Sequence, residues 1–429
     1  MSVCAQAAAT SQTETEAALR RHIEYLASDK LEGRRTGTAG ATAAAAYISN
    51  QFAKLHLKPG SRSTSGKADY LQPFPYGKGS DPVVTGYNVI GRLEGRDKRL
   101  RNEAIVIGAH YDHLGHGGKG SGSLMPDSTE IHHGADDNAS GTAAVIELAR
   151  QFTREKSNKR TIIFVAFSGE EEGLFGSKYF VNNPVFPLEN IVAMINLDMV
   201  GRLHDNKLTI GGIGTASEWK NLVEKKNTGE STVTPLALSS NMRLKPAASP
   251  AYNFVLGLSE DGFGPSDHSS FYTKKIPVLF IFTGTHLDYH KPSDTADKIN
   301  YTGEANIISY VAAITRAIDQ NQTRPTYTVA KVTAPTGGRS GFNVTLGTIP
   351  SYTDSTDGMV IDGVRDDSPA SRAGLKANDK IIKLAGKDVN NVQDYTDILG
   401  TLKAGEEYEI VVRRGTETLK FKITPAKRG

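Results

Sequence analysis

Cysteine is nearly absent. Cys4 is the only one in 429 residues, which excludes an internal disulfide, a thiolate pair and a cysteine-rich zinc site. A metal held by this chain would have to use His, Asp and Glu. Long apolar runs are missing too: the longest, Ile162 to Phe167 and Ile276 to Phe282, fall far short of the ~20 residues that cross a bilayer. No transmembrane segment is expected. Nor does one charge sign dominate, since 50 Lys and Arg stand against 47 Asp and Glu, a net +3. With no long basic run and no basic, aromatic-laced stripe of the kind nucleic acid requires, nucleic acid is not expected as a partner.

The length suits a large domain plus a small one, because domains usually hold roughly 100–200 residues. The opening, Met1 to Thr10, is rich in Ala and small residues like the tail of a signal peptide, but it lacks the roughly 7–15-residue apolar stretch of a whole one. Residues 1–14 are therefore expected to be either a signal-peptide remnant, which implies a secreted or periplasmic bacterial protein, or an ordinary disordered N-terminus.

From Thr15 to Leu55 the apolar spacing is helical and is interrupted by the Gly-rich stretch Glu32 to Gly40, which predicts two helices joined by a turn. Lys58 to Gly86 reads as loop with one edge strand. The pattern then alternates: strands Tyr87–Leu93 and Ala104–Ala109, helix Ser140–Arg154, strand Thr161–Phe167, helix Leu174–Val181 and strand Ile191–Leu197. Such alternation predicts an α/β domain with a mostly parallel mixed sheet sandwiched by helices. An irregular insertion from Thr228 to Pro265, a strand Val278–Phe282 and a helix Ala305–Asp319 complete a domain over 15–319. Residues 320–340, with Pro, Thr and Gly, read as a linker.

Metal-capable residues fall at the ends of those strands. Ala104–Ala109 runs into His110-Tyr111-Asp112-His113, Thr161–Phe167 into Ser168-Gly169-Glu170-Glu171-Glu172, Ile191–Leu197 into Asp198, and Val278–Phe282 is followed by Tyr289-His290. Asp136-Asp137-Asn138 precedes the Ser140 helix. Singly, each has a structural explanation: a loop histidine, a solvated turn, a helix cap. Together they converge on the edge of an open sheet where ligands bind, and carboxylates gathered there without cations would repel strongly. A metal is the economical explanation.

The motifs Ala109-His110-Tyr111-Asp112-His113, Gly134-Ala-Asp-Asp137-Asn-Ala-Ser-Gly141, Glu170-Glu171-Glu172-Gly173-Leu174, Asn196-Leu197-Asp198-Met199, Ser266-Asp267-His268 and Tyr289-His290-Lys-Pro-Ser-Asp294-Thr resemble those of the co-catalytic di-zinc aminopeptidases, metallopeptidase family twenty-eight, which shares a fold with glutaminyl cyclases and zinc carboxypeptidases. The resemblance covers about residues 15–320. It implies two zinc ions, with Asp137 bridging both, His110 and Asp198 completing one site, and Glu171 and His290 the other. It also implies Glu170 as general base, Asp112 as the carboxylate that orients the His110 imidazole, and a cis peptide between Asp137 and Asn138. Tyr289 would stabilise the oxyanion, as a tyrosine beside the final histidine does in some relatives; Tyr252 and Tyr301 are alternatives. No chemical role follows for Asp267 and His268. His116, His132 and His133 lie in a segment expected to form a flap and are not expected to bind metal.

Residues 341–425 change style to short strands and turns. Their Ser-Pro-Ala-x-x-Ala-Gly-Leu-x-x-x-Asp-x-Ile stretch from Ser368, with Gly386 and Val389, looks like a bacterial-type PDZ domain. That implies capture of a peptide C-terminus, with the carboxylate held near Leu346-Gly347; a docked accessory domain is the alternative, and Pro350 removes one backbone donor. The function expected is hydrolysis of the N-terminal residue of peptide substrates. A carboxypeptidase, a dipeptidase or a glutaminyl cyclase, the last generally holding one zinc, and a non-catalytic binding scaffold are the alternatives.

Overall fold

The computed structural model describes residues 3–62, 66–77, 83–118, 121–125, 127–230, 251–330, 344–350, 357–365, 367–390 and 392–427. The chain forms two compact units, one holding nearly all of residues 1–331 and the other 332–429.

The first unit is built on a nine-stranded sheet. Its strands are β1 (Lys58–Pro59), β2 (Leu71–Tyr76), β3 (Val84–Leu93), β4 (Ala104–His110), β5 (Thr161–Phe167), β6 (Ile191–Leu197), β7 (Lys207–Gly211), β8 (Val255–Leu258) and β9 (Val278–Phe282). They lie in the order β1-β3-β5-β4-β6-β9-β7-β8, with β2 on β3. The central four, β5, β4, β6 and β9, run parallel. Antiparallel pairing enters outside them, at β3 against β5 and β7 against β9.

β4, β5 and β6 are buried along their whole lengths, as strands covered on both faces must be. Alternation sends their side chains to opposite faces. Ile105, Ile107 and Ala109 join the larger core, which holds residues of α1 (Val3–Leu26), α2 (Ala39–Lys54), α3 (Gly141–Glu155), α5 (Trp219–Thr228) and α7 (Tyr301–Gln320). Ala104 and Val106 join the other, with Phe180 of α4 (Phe175–Asn182) and Phe271 of α6 (His268–Tyr272). Caps fix where two of these helices begin: the Thr38 hydroxyl accepts from the Ala41 N–H at α2, and the Asn300 side chain from that of Gly303 at α7.

Several expectations are refined. Helix α1 already begins at Val3, so most of the segment read as a signal-peptide remnant or disordered tail is helical, as its alanines favour. The Lys58 to Gly86 region carries β1, β2 and a short hairpin, Ser61–Arg62 with Ala68–Asp69, rather than one edge strand. The insertion after Thr228 contributes β8; its residues 231–250 lie outside the described residues. The first part of the segment read as a linker is bound to this unit: the Arg324 guanidinium donates to Glu103 at 2.9 Å, and the Ala330 N–H to the Tyr272 hydroxyl at 2.8 Å. Residues 331–343 lie outside the described residues. Among the described residues no helix is long and apolar enough to cross a membrane.

The second unit is a small β-rich fold. Its sheet orders Thr348–Pro350, Met359–Val364, Lys380–Leu384, Tyr408–Arg414 and Glu417–Ile423 around a core of its own that includes Leu346, Ile361, Ile381, Tyr395 and Ile410.

Candidate metal centre

His110 ends β4, Glu170 and Glu171 follow β5 and Asp198 follows β6, so the parallel centre of the sheet delivers all four to one edge. Asp137 arrives from a distorted turn ahead of α3, where the expected cis peptide Asp137–Asn138 is present. Asn138 ties that turn to β6: its amide donates to the Leu197 carbonyl at 3.0 Å, and its oxygen accepts from the Gly141 and Met199 N–H groups. The Asp294 carboxylate accepts from the N–H groups of Asp136 and Asp137 at 2.9 and 3.0 Å.

Two groups of ligand atoms result, His110/Asp137/Asp198 and His113/Asp137/Glu171, each within 4.8 Å of one another. Around the first, His110 Nε2 lies 3.4 Å from Asp137 Oδ1 and 3.4 Å from Asp198 Oδ1. Around the second, His290 Nε2 lies 3.2 Å from Asp137 Oδ2 and 3.1 Å from Glu171 Oε2. Zinc bound at ~2.0–2.2 Å by tetrahedral ligands sets those atoms roughly 3.3 Å apart. His110, Asp137 and Asp198, and likewise His290, Asp137 and Glu171, therefore fit zinc, with Asp137 offering one oxygen to each set, and the histidine and carboxylate donors also suit cobalt or manganese.

The field of the carboxylates is strong. Burial opposes a charged His110, yet Glu170 and Asp198 raise it well above the usual imidazole range; His290, also opposed by burial, is pushed up to about 11 by Glu171 and Asp137. Burial would raise Asp137, but hydrogen bonds from His110 and His290 hold it well below the carboxylate range. Such a site calls for cations. Glu170 and Asp198 go the other way: burial, against the pull of His110, and then Asp198, Glu171 and Asp267 push Glu170 well above its usual range, and burial, against the same pull, raises Asp198. Glu170 Oε2 lies 4.0 Å from His110 Nε2.

Other expected residues take definite places. The His110 Nδ1 contacts the main-chain oxygen of Asp112 at 3.2 Å, while the Asp112 carboxylate stands at 3.8 Å and accepts from the Glu170 N–H and the Thr36 hydroxyl. Asp112 thus also holds the segment that carries Glu170. Tyr289 stacks on the His290 ring at 3.8 Å, whereas the hydroxyls of Tyr252 and Tyr301 donate to the carbonyls of Ser309 and Ala296. The Asp267 side chain is buried, and burial pushes it to about 6. His268 stacks on Phe280. The flap histidines are engaged away from the carboxylates of the two groups: His116 with the Thr129 carbonyl, His132 with Ser123 and the Glu130 carbonyl, His133 with Asp29 and the Pro292 carbonyl. The segment between His113 and Gly134 reaches the site through its backbone, since the Gly122 carbonyl accepts from His290 Nδ1 at 2.8 Å.

Three residues that sequence reasoning left without a role belong to this site. His113 Nδ1 lies 2.6 Å from Glu171 Oε1. His286 Nε2 lies 3.1 Å from Asp136 Oδ2. Arg34, fully buried, donates to the carbonyls of Tyr111, His133 and Gly134 at 2.7, 2.7 and 2.9 Å and to that of Leu26. Burial lowers the Arg34 guanidinium to about 10, against the pull of Asp112, Asp294, Asp137 and Glu171.

Residues 88–315 match the model of peptidase family M28. The chain belongs to this family. Residues 346–424 match a PDZ domain. A probable zinc metalloprotease of Pyrenophora tritici-repentis is 30% identical over 200 residues, which cover 44% of this chain and 37% of that protein. The match thus spans less than two fifths of the relative. Among solved structures, a leucine aminopeptidase precursor and a glutaminyl cyclase, both of Bacteroides thetaiotaomicron, each superpose with a TM-score of 0.54 at 17% identity. Each superposition covers 72% of this chain, and 97% and 98% of theirs respectively. At that identity the likeness establishes the fold of this M28 chain, which a peptidase and a cyclase share.

Proposed function

We propose that this M28 chain is a two-zinc exopeptidase that removes the N-terminal residue of peptides. The observation that carries the reading is Asp137, whose two oxygens turn to two separate histidines, His110 and His290. A single-ion cyclase would need only one such group. His110 and Asp198 would hold one ion and Glu171 and His290 the other. When bound, the ions polarise the scissile carbonyl and acidify the attacking water.

The chain's own residues do the rest. Glu170, fixed through its N–H by Asp112, takes the proton of the water and passes it to the leaving amine. Tyr289, half-buried against His290, is the donor for the developing oxyanion. The PDZ unit would recruit peptide by strand addition.

The test is hydrolysis of a panel of aminoacyl anilides by metal-analysed protein, with and without chelator, beside Glu170→Gln. Chelator-sensitive release at two metals per chain is expected, with kcat about 10²–10⁴-fold lower in Glu170→Gln and its metal content unchanged. Inertness across the panel with two metals bound would transfer the reading to a carboxypeptidase or dipeptidase, one metal to a cyclase, and none to a scaffold.

A further inference from the structure

His113 stands in the second ligand group beside His290, so two imidazoles compete for one place. Distances separate them. His290 Nε2 keeps 3.1–3.2 Å from both carboxylate oxygens it faces, the spacing of two atoms that share a metal. His113 Nδ1 lies 2.6 Å from Glu171 Oε1 but 3.9 Å from Asp137 Oδ2. The first value is that of a charge-assisted hydrogen bond, and the pair of values is too uneven for a shared ion. Glu171, read above as an ionised metal ligand, offers only acceptor oxygens. Nδ1 of His113 is therefore the donor.

The surroundings fix the ring in that role. His113 is 1% exposed, and its Nε2 has no hydrogen-bond partner among the described residues. The ring lies against Gly134, where a Cβ would come within 2.5 Å of its Cγ; Gly134 has φ +56 and is held through its carbonyl by Arg34. Neither the ring nor its glycine wall can shift without disturbing that anchor.

We propose that His113 is a positioning residue: its Nδ1–H occupies Glu171 Oε1 and leaves Oε2 as the one oxygen turned, with His290 and Asp137, to the second metal. Fixing a carboxylate in this way keeps that ion from being closed in by a fourth protein ligand, and an open position is what a catalytic zinc requires. The inference rests on the two-metal reading above, and its test separates the two.

Zinc content and stepwise affinity would be measured by chelator competition in the wild-type full chain and in His113→Ala, His113→Asn and His290→Ala, with absorption spectra of the cobalt-loaded forms. The Asn amide can place a donor where Nδ1 stands, but it is a poor metal ligand. Loss of such a partner typically costs 10–100-fold in metal affinity. His113→Ala should weaken one of two ions by that factor, His113→Asn should restore it with the wild-type cobalt spectrum, and His290→Ala should lose that ion. Two outcomes overturn the inference and leave the two-metal reading intact. One is an unchanged His113→Ala; the other is a folded His113→Asn that loses the ion as His290→Ala does, or shows an altered cobalt spectrum at full occupancy, which would make His113 a ligand. A wild-type chain that takes up a single ion overturns the two-metal reading itself, and this inference with it.

Discussion

His268 carries a pH dependence that belongs to one buried ring. It is stacked on Phe280, with Nδ1 unpartnered among the described residues, and burial, only partly offset by Asp261, lowers it to about 3. An unfolded histidine titrates near ~6.5. Below that pH the unfolded chain takes a proton that the folded chain refuses until about 3, so the stability contribution is complete above ~6.5 and is lost as pH falls toward 3, at up to ~1.4 kcal/mol per pH unit. Between pH 7 and 5.5 wild type should therefore lose about 1 kcal/mol more than His268→Leu, read by urea unfolding through Trp219, the sole tryptophan and 1% exposed. Equal losses in the two proteins would show that the ring is solvated. At this scale, residues whose signal is local were legible. His110, Asp198 and Glu171 each follow an apolar strand run, and Asp137 sits in a short acidic turn. His113 and Arg34 were not legible, because their roles depend on convergence. Glu171 is 58 residues beyond His113, and the carbonyls around Arg34 come from segments up to 100 residues away. The Arg34-Arg35 pair beside Gly33 in a turn gives no sign that its first member will be buried.

The strands and helices that place the site are tied together at α3. Gly141, its first residue, lies so close to the end of β6 that a Cβ would fall 2.3 Å from Asn138 Oδ1 and 2.5 Å from the Leu197 carbonyl. Its φ of −60 suits any residue, so the constraint is space alone. Gly141→Ala should push Asn138 off β6 and widen the gap between Asp137 and Asp198. A cost of about 1–3 kcal/mol follows from overpacking, together with weaker binding of the ion at His110, Asp137 and Asp198, measured by unfolding midpoint and zinc retention; retention equal to wild type would show that the turn yields elsewhere. The apolar runs that become β4, β5, β6 and β9 were legible because strands covered on both faces read as continuous hydrophobic segments. β7, β8, α5 and α6 were not. β8 reads Val255-Leu-Gly-Leu258 with two of its four residues exposed, and α6 is five residues long, too short to show a helical period. The antiparallel partners outside the central four strands were also hidden, since direction is set by which edge a strand joins and not by its own sequence.

On the scale of the molecule, a metal held by the proposed ligands would couple its binding to the folding of the unit that carries them. The proposed ligands come from β4, β5, β6, the turn before α3 and the loop after β9, so it is the folded unit that brings them together. Ions that bind the folded state alone stabilise it by RT ln(1 + [L]/Kd), or about 4 kcal/mol at a free concentration a thousand times Kd. Trp219 lies in the larger core of that same unit, so its fluorescence reports the relevant transition. Chelator should lower the Trp219 unfolding midpoint of the wild type. Asp137→Ala, which removes an oxygen from both groups, should lower it by itself and abolish the further effect of chelator, while His290→Ala, which faces only one group, should retain part of the zinc-dependent shift. A graded series of this kind requires two ions of separate stabilising effect sharing Asp137. If His290→Ala instead lost the whole shift, as Asp137→Ala does, the two groups would be filling as one site, and the separate roles of Asp137 Oδ1 and Oδ2 would have to be abandoned.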